Sequence, residues 1–307
     1  MKTNLKSFFV PVAFLLIFID PESSAGQSVI QPVYPPDKAV HINTCAIQWA
    51  ARPGLKYDLY LGTETSPELY RENLETMELK PVPFELNKTY YWKVTEKKDG
   101  KAVSTSKVFS FSTLPIQLKP GLEYKPFVDL RDDKIYWTIS KNGNDWFAQN
   151  LDFDLKGNSW YYNNNEANKA YGRLYSGVSV GQNQKEICPA GWHVPSFAEW
   201  KELLDLSGGP KAAGKMLKEA SGSFWQKSNY SANNEGGMTV LPAGSRDSKP
   251  SFANLGKYCF FWTSTPNPKI PGSHFTFDFG FMRDNVNNSP GDPNWSYSIR
   301  CVKDQQK

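Results

Sequence analysis

The sequence predicts a mainly β protein with two folded domains, an antiparallel sandwich followed by a larger mixed α+β domain. A chain of 307 residues is long for one domain and suits two. Large apolar side chains alternate with polar ones through much of the first third, which is the period of half-buried strands. Ten Trp, fifteen Tyr and nineteen Phe accompany 22 Gly and 22 Pro, and this composition is typical of short strands joined by many turns.

The start of the chain predicts an export signal. Lys2 and Lys6 give a positive beginning, residues 8–19 are apolar, and Ser23-Ser24-Ala25 offers small residues for cleavage. A membrane anchor is the alternative, but the apolar run is shorter than the ~20 residues that a span needs and is interrupted by Pro11. We therefore expect residues 1–25 to be a signal peptide, no later transmembrane segment, and a periplasmic, cell-surface or extracellular protein.

The charge content limits the binding partners that we expect, and the cysteine content indicates possible disulfides. The chain has 35 basic and 31 acidic residues, a net charge of +4, and no stripe of basic residues, so nucleic acid is not an expected partner. Export makes the four cysteines candidates for disulfides, although their spacing leaves the pairing open. The first cysteine, Cys45, is far from the predicted cleavage point, so we expect no lipoprotein anchor.

Alternating apolar residues predict the first domain, residues 26–113. The turn pair Asp99-Gly100, which suits a hairpin with positive φ, separates two of its strands. We expect Cys45 to be a buried small hydrophobe within a strand. The predicted strands are residues 46–49, 57–61, 90–94 and 108–111. With their aromatic residues, these segments resemble a fibronectin type III module.

Residues 114–126 predict a linker, because they contain three prolines and no sustained hydrophobic period. The second domain, residues 127–307, has one clear helix. Ser196 and Glu199 form a capping box at its start, and the Gly-Gly-Pro run at 208–210 ends it. We also expect a second short helix within 213–220 and strands at 238–241 and 260–263.

Eight sequence blocks of the second domain occur in the order and spacing of a known family. They include Trp-Phe-Ala-Gln-Asn-Leu at 146–151, Cys-Pro-Ala-Gly-Trp-His-Val-Pro at 188–195, Leu-Pro-Ala-Gly at 241–244, Phe-Trp-Thr-Ser-Thr at 261–265 and Ser-Ile-Arg-Cys-Val-Lys-Asp at 298–304. In these blocks the chain resembles the Fibrobacter succinogenes major paralogous domain, a family of exported bacterial proteins. The resemblance implies a C-type-lectin-like fold, a disulfide between Cys188 and Cys301, and no assigned catalytic activity.

Two sequence features suggest a catalytic or a metal site, but we expect both to have structural roles. Residues 177–181 spell G-x-S-x-G, a hydrolase motif that functions on a strand-to-helix turn; we expect no helix after it, and the resemblance implies a loop. His193 lies near Cys188, yet zinc needs three or four ligands and the chain has three His. We expect His193 to hydrogen-bond at the helix start, and Cys259 to be a buried small hydrophobe.

The segment from Asp278 to Trp295 is the candidate ligand loop. It is rich in oxygen donors of the kind that calcium prefers, and Trp295 could stack on a sugar. Since the Glu-Pro-Asn or Gln-Pro-Asp and Trp-Asn-Asp triplets of calcium-dependent sugar-binding lectins are missing, we favour a solvated loop without a cofactor and keep calcium as the alternative. The candidate residues are Asp278, Asp284, Asn285, Asn287, Asn288, Asp292, Asn294 and Trp295.

Together these features predict an exported, non-enzymatic recognition or adhesion protein that binds a glycan or a cell-surface protein. The alternative is a structural component of the cell envelope or a surface assembly, which would self-associate and bind no soluble ligand. An enzyme of unrecognised type ranks third. The oligomeric state and the ligand are left open.

Overall fold

The computed structural model describes residues 30–50, 52–226 and 231–305. The predicted signal peptide, residues 1–25, lies outside these ranges. The described chain is mainly β and contains several separate sheets, as the sequence predicts. In these ranges no helix has the length and apolar character needed to cross a membrane.

The N-terminal region contains two β-sheets in which most strand pairs are antiparallel. One has the order β2-β9-β7-β4-β5, with β8 also paired to β7, and the other has the order β1-β3-β6. Asp99 (φ 50°) and Gly100 (φ 77°) join β7 to β8, which confirms the predicted turn. The strands are β1 (Pro32–Tyr34), β2 (Ala39–Ile42), β3 (Ile47–Trp49), β4 (Lys56–Gly62), β5 (Leu69–Leu74), β6 (Glu78–Leu79), β7 (Thr89–Lys98), β8 (Lys101–Thr105) and β9 (Phe109–Thr113).

Strand alternation builds the core of this region. Leu59 and Leu61 of β4 lie opposite Val94 and Trp92 of β7, and all four side chains are buried. Cys45 is buried and free, as expected, but it lies between β2 and β3 instead of within a strand. Its backbone explains this difference, because the Cys45 N–H donates to the Asp133 carbonyl (3.0 Å), outside the sandwich strands.

The two regions meet in a packed junction. Ile135 belongs to the apolar cluster of the N-terminal region, although it follows the predicted linker in sequence. The Ile135 N–H donates to the Asn43 carbonyl (2.8 Å), and the Asn43 side chain donates to Asp152 (2.9 Å). Leu114 and Ile116 are buried in a separate small apolar cluster, together with residues of the C-terminal region. The segment between β9 and β10 is therefore fixed against both regions along part of its length.

The C-terminal region contains three further sheets, ordered β10-β11-β12-β22-β15, β13-β14-β21-β16-β17 and β18-β19-β20. Its elements are β10 (Lys125–Asp129), β11 (Lys134–Lys141), β12 (Asn144–Phe147), β13 (Ser159–Trp160), the 3₁₀ helices η1 (Tyr162–Asn164) and η2 (Glu166–Tyr171), β14 (Leu174–Ser176), α1 (Gly177–Gln182), α2 (Gln184–Ile187), β15 (Trp192–His193), α3 (Phe197–Leu206), α4 (Ala213–Leu217), β16 (Ser245–Arg246), β17 (Phe252–Ala253), β18 (Tyr258–Pro266), β19 (His274–Gly280), β20 (Asn287–Pro290), β21 (Ser296–Tyr297) and β22 (Val302–Lys303).

Helix α3 begins where the sequence predicts. The Ser196 side chain accepts from the Glu199 N–H (3.2 Å), and the Glu199 carboxylate accepts from the Ser196 N–H (2.7 Å), which completes the capping box. Trp200 on its inner face is fully buried and packs edge-on against Trp146 (centroids 5.3 Å apart). The shorter predicted helix is α4, and residues 260–263 lie within β18.

The strand predicted at 238–241 is wrong. Val240 makes an isolated bridge to Lys218, and the other residues of the segment pair with no strand. Thr239 has a φ of 50°, which interrupts an extended run, and the carbonyls of Met238 and Thr239 accept from the buried Arg300 guanidinium instead of from a neighbouring strand.

Candidate ligand-binding site

The predicted ligand loop is a β-hairpin followed by a short turn. Asp278 ends up in β19 and pairs with Asn287 of β20, while Asn288 of β20 pairs with Phe277. The hairpin turn is formed by residues 281–286, and a second turn at 291–295 leads into β21. Half of the predicted ligand set is therefore placed on or beside paired strands.

The hairpin distributes the predicted oxygen donors among separate contacts. Asp278 forms an ion pair with Arg283, Asp284 accepts from the Ser231 hydroxyl, and the Asn285 amide donates to Asn287 (2.7 Å). Within the described ranges, no group of three or more His, Cys, Asp and Glu side chains is arranged to hold a metal ion. A solvated loop without a cofactor stays the prediction, with calcium as the alternative.

The second turn is organised by its own aspartate. Asp292 accepts from both the backbone (2.9 Å) and the side chain (3.2 Å) of Asn294. Trp295 is half-buried, and its ring centroid lies 6.1 Å from that of Tyr297. Part of the Trp295 indole thus packs on the protein and part faces solvent.

The hairpin turn borders a surface cavity of ≈ 230 Å³. Its wall combines charged, amide and apolar side chains, and Met282 is 68% exposed. Asp284 and Asn285 of the predicted set line it, whereas the sequence did not single out the rest. The lining residues are Lys211, Ser231, Phe281, Met282, Arg283, Asp284 and Asn285.

The buried Lys218 side chain anchors this turn, and the sequence analysis did not identify this residue. Its side chain is fully buried, and Nζ donates to the carbonyls of Gly280 (3.1 Å) and Arg283 (3.0 Å). Burial lowers the pKa of Lys218 to about 8, although the Asp284 charge acts in the opposite direction. The cation therefore orders the backbone on which the cavity is built.

Gly214 in α4 makes a second attachment to the same turn. Its N–H donates to the Asp284 carbonyl (2.7 Å). A Cβ at position 214 would lie 2.5 Å from that oxygen, so any larger residue would push the turn away from α4. The Gly-Lys-Met-Leu-Lys segment at 214–218 thus supplies both anchors of the turn.

The disulfide and His193 fix the end of the chain to the start of α3. Cys188 and Cys301 are bonded, as the resemblance implies, and Cys45 and Cys259 are free and buried. Burial raises the pKa of the Cys259 thiol to about 11. His193 hydrogen-bonds through Nε2 to Glu199 (2.9 Å) and through Nδ1 to Asp304 (2.6 Å).

These contacts change the pKa values of His193 and Glu199 at the start of α3. The hydrogen bond to Glu199 raises the pKa of His193, with a smaller contribution from Asp304. Burial opposes ionisation of Glu199, but hydrogen bonds from His193 and Ser196 outweigh it and lower its pKa. The predicted role of His193 at the helix start is confirmed.

The expectation that residues 177–181 lack a helix is wrong. Helix α1 begins at Gly177 directly after β14, because the Ser176 side chain caps it by accepting from the Ser179 N–H (3.2 Å). Ser179 is buried, and its hydroxyl donates to the Ser176 carbonyl (2.7 Å). The G-x-S-x-G serine therefore uses its proton within the helix.

The geometry describes a mainly β protein that presents a polar turn anchored by Gly214 and Lys218. Residues 137–303 match the family model of the Fibrobacter succinogenes major domain. The chain belongs to this family, which confirms the resemblance carried by the sequence blocks.

Two other comparisons add little. No curated protein matches this sequence. The chain is similar to a solved structure described as an exotype rhamnogalacturonan lyase, YesX, with 12% identity and a TM-score of 0.18. That similarity covers 84% of this chain and 42% of the lyase chain, and at this TM-score it carries no argument about fold or activity.

Proposed function

We propose that this protein is an exported, non-enzymatic recognition or adhesion protein that binds a glycan, or else a cell-surface protein, at the hairpin turn of residues 281–285. In this proposal residues 127–307 form a C-type-lectin-like domain, and residues 26–113 form a fibronectin type III-like spacer. The observation that carries it is the double anchoring of the turn by Lys218 and Gly214. A backbone that is already fixed loses little conformational entropy when a ligand binds.

The chemistry of the cavity wall supports a polar ligand. Arg283, Asp284 and Asn285 provide donors and acceptors, and Met282 adds an apolar contact. A sugar presents hydroxyl groups and an apolar C–H face, which match this combination. Membership of the Fibrobacter succinogenes major domain family is consistent with a surface protein.

A glycan array with residues 26–307, in calcium and in chelator, tests this proposal. We expect selective binding that is weakened by Asp284→Asn and retained by Asp292→Asn, a matched change at the second turn. Loss of binding in chelator would add calcium to the site. Turnover of any glycan, or binding that neither variant changes, would count against the proposed site and role.

The structural alternative is favoured by one edge strand. All four residues of β20 are exposed, and β20 is the last strand of its sheet. An exposed edge can pair with another chain, so this surface could support self-assembly. Sedimentation velocity over a range of protein concentrations distinguishes the two functions, since concentration-dependent association without glycan binding would support the structural role.

A further inference from the structure

A second surface combines a guanidinium with three aromatic rings, and we call it the Arg246 cluster. The Arg246 Cζ atom lies 3.9 Å from the centroid of the Trp160 ring and 5.9 Å from that of Phe252. The rings of Phe252 and Tyr162 pack edge-on with centroids 5.4 Å apart. All four side chains are half-buried, so each has surface within reach of a ligand.

The strands hold this cluster in place. Arg246 of β16 and Phe252 of β17 are direct cross-strand partners, and Arg246 also pairs with Ser296 of β21. Asp247 stabilises the turn between β16 and β17, because its carboxylate accepts from the N–H groups of Lys249 (2.8 Å) and Ser251 (2.9 Å). The cluster is therefore built on paired strands with a fixed connection.

The charge of Arg246 is not compensated in the way that the charges of two other ring-stacked arginines are. Arg131 stacks on Phe153 (3.6 Å) and pairs with Asp129 (2.6 Å). Arg173 stacks on Tyr161 (4.1 Å) and pairs with Asp154 (3.3 Å).

In the part of the chain that the structure describes, Arg246 forms no ion pair, and its buried Nε has no hydrogen-bond partner. A half-buried guanidinium without acceptors is costly, because the loss of water is not repaid. Stacking on aromatic rings occupies the faces of the guanidinium and leaves the N–H groups at its edge available for hydrogen bonds. Those N–H groups match the two oxygens of a carboxylate.

We propose that the Arg246 cluster binds a carboxylate-bearing pyranose, such as a uronic acid residue of a polysaccharide. The carboxylate accepts from Arg246, and the apolar C–H face of the sugar packs on the exposed parts of the aromatic rings. A single guanidinium balances one negative charge, which fits a carboxylate better than a doubly charged phosphate. This inference rests on the proposed recognition function and adds a ligand class at a separate surface.

Calorimetric titration of residues 26–307 with glucuronic acid oligosaccharides tests this site. The same oligosaccharides with methyl-esterified carboxylates, and neutral cello-oligosaccharides, serve as ligand controls. We expect the free acid to bind and the ester to bind about 10- to 100-fold more weakly, the range expected for loss of charge-assisted hydrogen bonds. Arg246→Gln should weaken binding of the acid to a similar extent.

A matched variant and a folding control make the result decisive. Arg71→Gln removes a guanidinium that also stacks on an aromatic ring, that of Tyr70 (4.6 Å), but in the N-terminal region, and should leave binding unchanged. If Arg246→Gln lowers the melting temperature, Arg246→Lys decides instead, since it keeps the charge and loses the planar fork; several-fold weaker binding is then expected.

Several outcomes would overturn the inference. These are no binding of the acid, equal binding of acid and ester, unchanged binding by both Arg246 variants, or tighter binding of an acidic peptide than of the uronate. Uronate binding that Asp284→Asn weakens and Arg246→Gln does not would place the uronate at the hairpin turn, which rejects this site and leaves the proposed function in place. Uronate binding that depends on Arg246, together with no glycan binding that Asp284→Asn weakens, would retain this site and reject the hairpin turn.

Discussion

Replacing Lys218 with Met tests how the ligand turn is held. Methionine nearly preserves the length of the side chain but leaves the carbonyls of Gly280 and Arg283 without their donor. Each buried group that loses its partner costs ~1–3 kcal/mol. We expect Lys218→Met to be less stable than the wild type at neutral pH and to bind ligand at the turn more weakly, because the turn loses its anchor.

The pH dependence gives the sharper test. A pKa lowered from 10.5 to about 8 corresponds to about 3 kcal/mol of linkage between protonation and folding. Between these two values the unfolded chain holds the Lys218 proton and the folded chain does not. The stability of the wild type should therefore rise relative to that of Lys218→Met from about pH 8 to pH 10.5, by up to ~1.4 kcal/mol per pH unit. Below pH 8 the difference should be constant.

Urea unfolding followed by tryptophan fluorescence at pH 7, 8, 9 and 10 measures this difference. Lys215→Met is the matched control, since Lys215 lies in α4, just before Lys218 in sequence, but is exposed. Its curve should run parallel to that of the wild type across the whole range. Parallel curves for Lys218→Met as well would refute the conclusion that Lys218 is buried with a lowered pKa.

Two further predictions concern the start of α3. Replacing both Cys188 and Cys301 with Ser opens a loop with a sequence separation of 113 and should lower the free energy of unfolding by about 5 kcal/mol, measured by urea unfolding with the oxidised wild type as reference; a loss below ~1 kcal/mol would contradict this. Because the pKa of His193 is raised, its stabilising contribution is complete below its unfolded pKa and is lost as pH rises through the folded value. The wild type should thus exceed His193→Gln in melting temperature by more at pH 5.5 than at pH 9, and an equal difference at both would argue against the ion pairs with Glu199 and Asp304.

Local signals in the sequence predicted the parts of the fold that local chemistry determines. The capping box of Ser196 and Glu199 sets the start of α3 within one turn of backbone, and the two-residue hairpin turn favoured by Asp99-Gly100 has positive φ at both positions. Alternation predicted the strand interiors of the first region because each strand buries one face. The pairing of Cys188 with Cys301 came instead from the family resemblance, since spacing alone left it open.

The failures have a different origin. At 238–241 the apolar pattern is real, and the segment is buried, but Arg300 takes the carbonyls that a strand would offer. At 177–182 no helix was expected and the resemblance implied a loop, but the cap supplied by Ser176 was overlooked. At 278–295 the sequence predicted a loop, whereas the structure forms a β-hairpin and a second turn. The first of these differences depends on contacts between residues far apart in sequence, and the second depends on a local cap.

Buried cations explain how a domain with so many two-residue strands satisfies its backbone. Such strands pair few carbonyls, so other donors must reach those that remain buried. Arg300 donates to the carbonyls of Phe147, Met238 and Thr239, and Lys218 donates to two carbonyls of the ligand turn. Because both cations are saturated by the protein, they hold the fold and offer little to a ligand. Arg246 has no such acceptors in the described chain, and this difference in hydrogen bonding leaves its N–H groups available to a ligand.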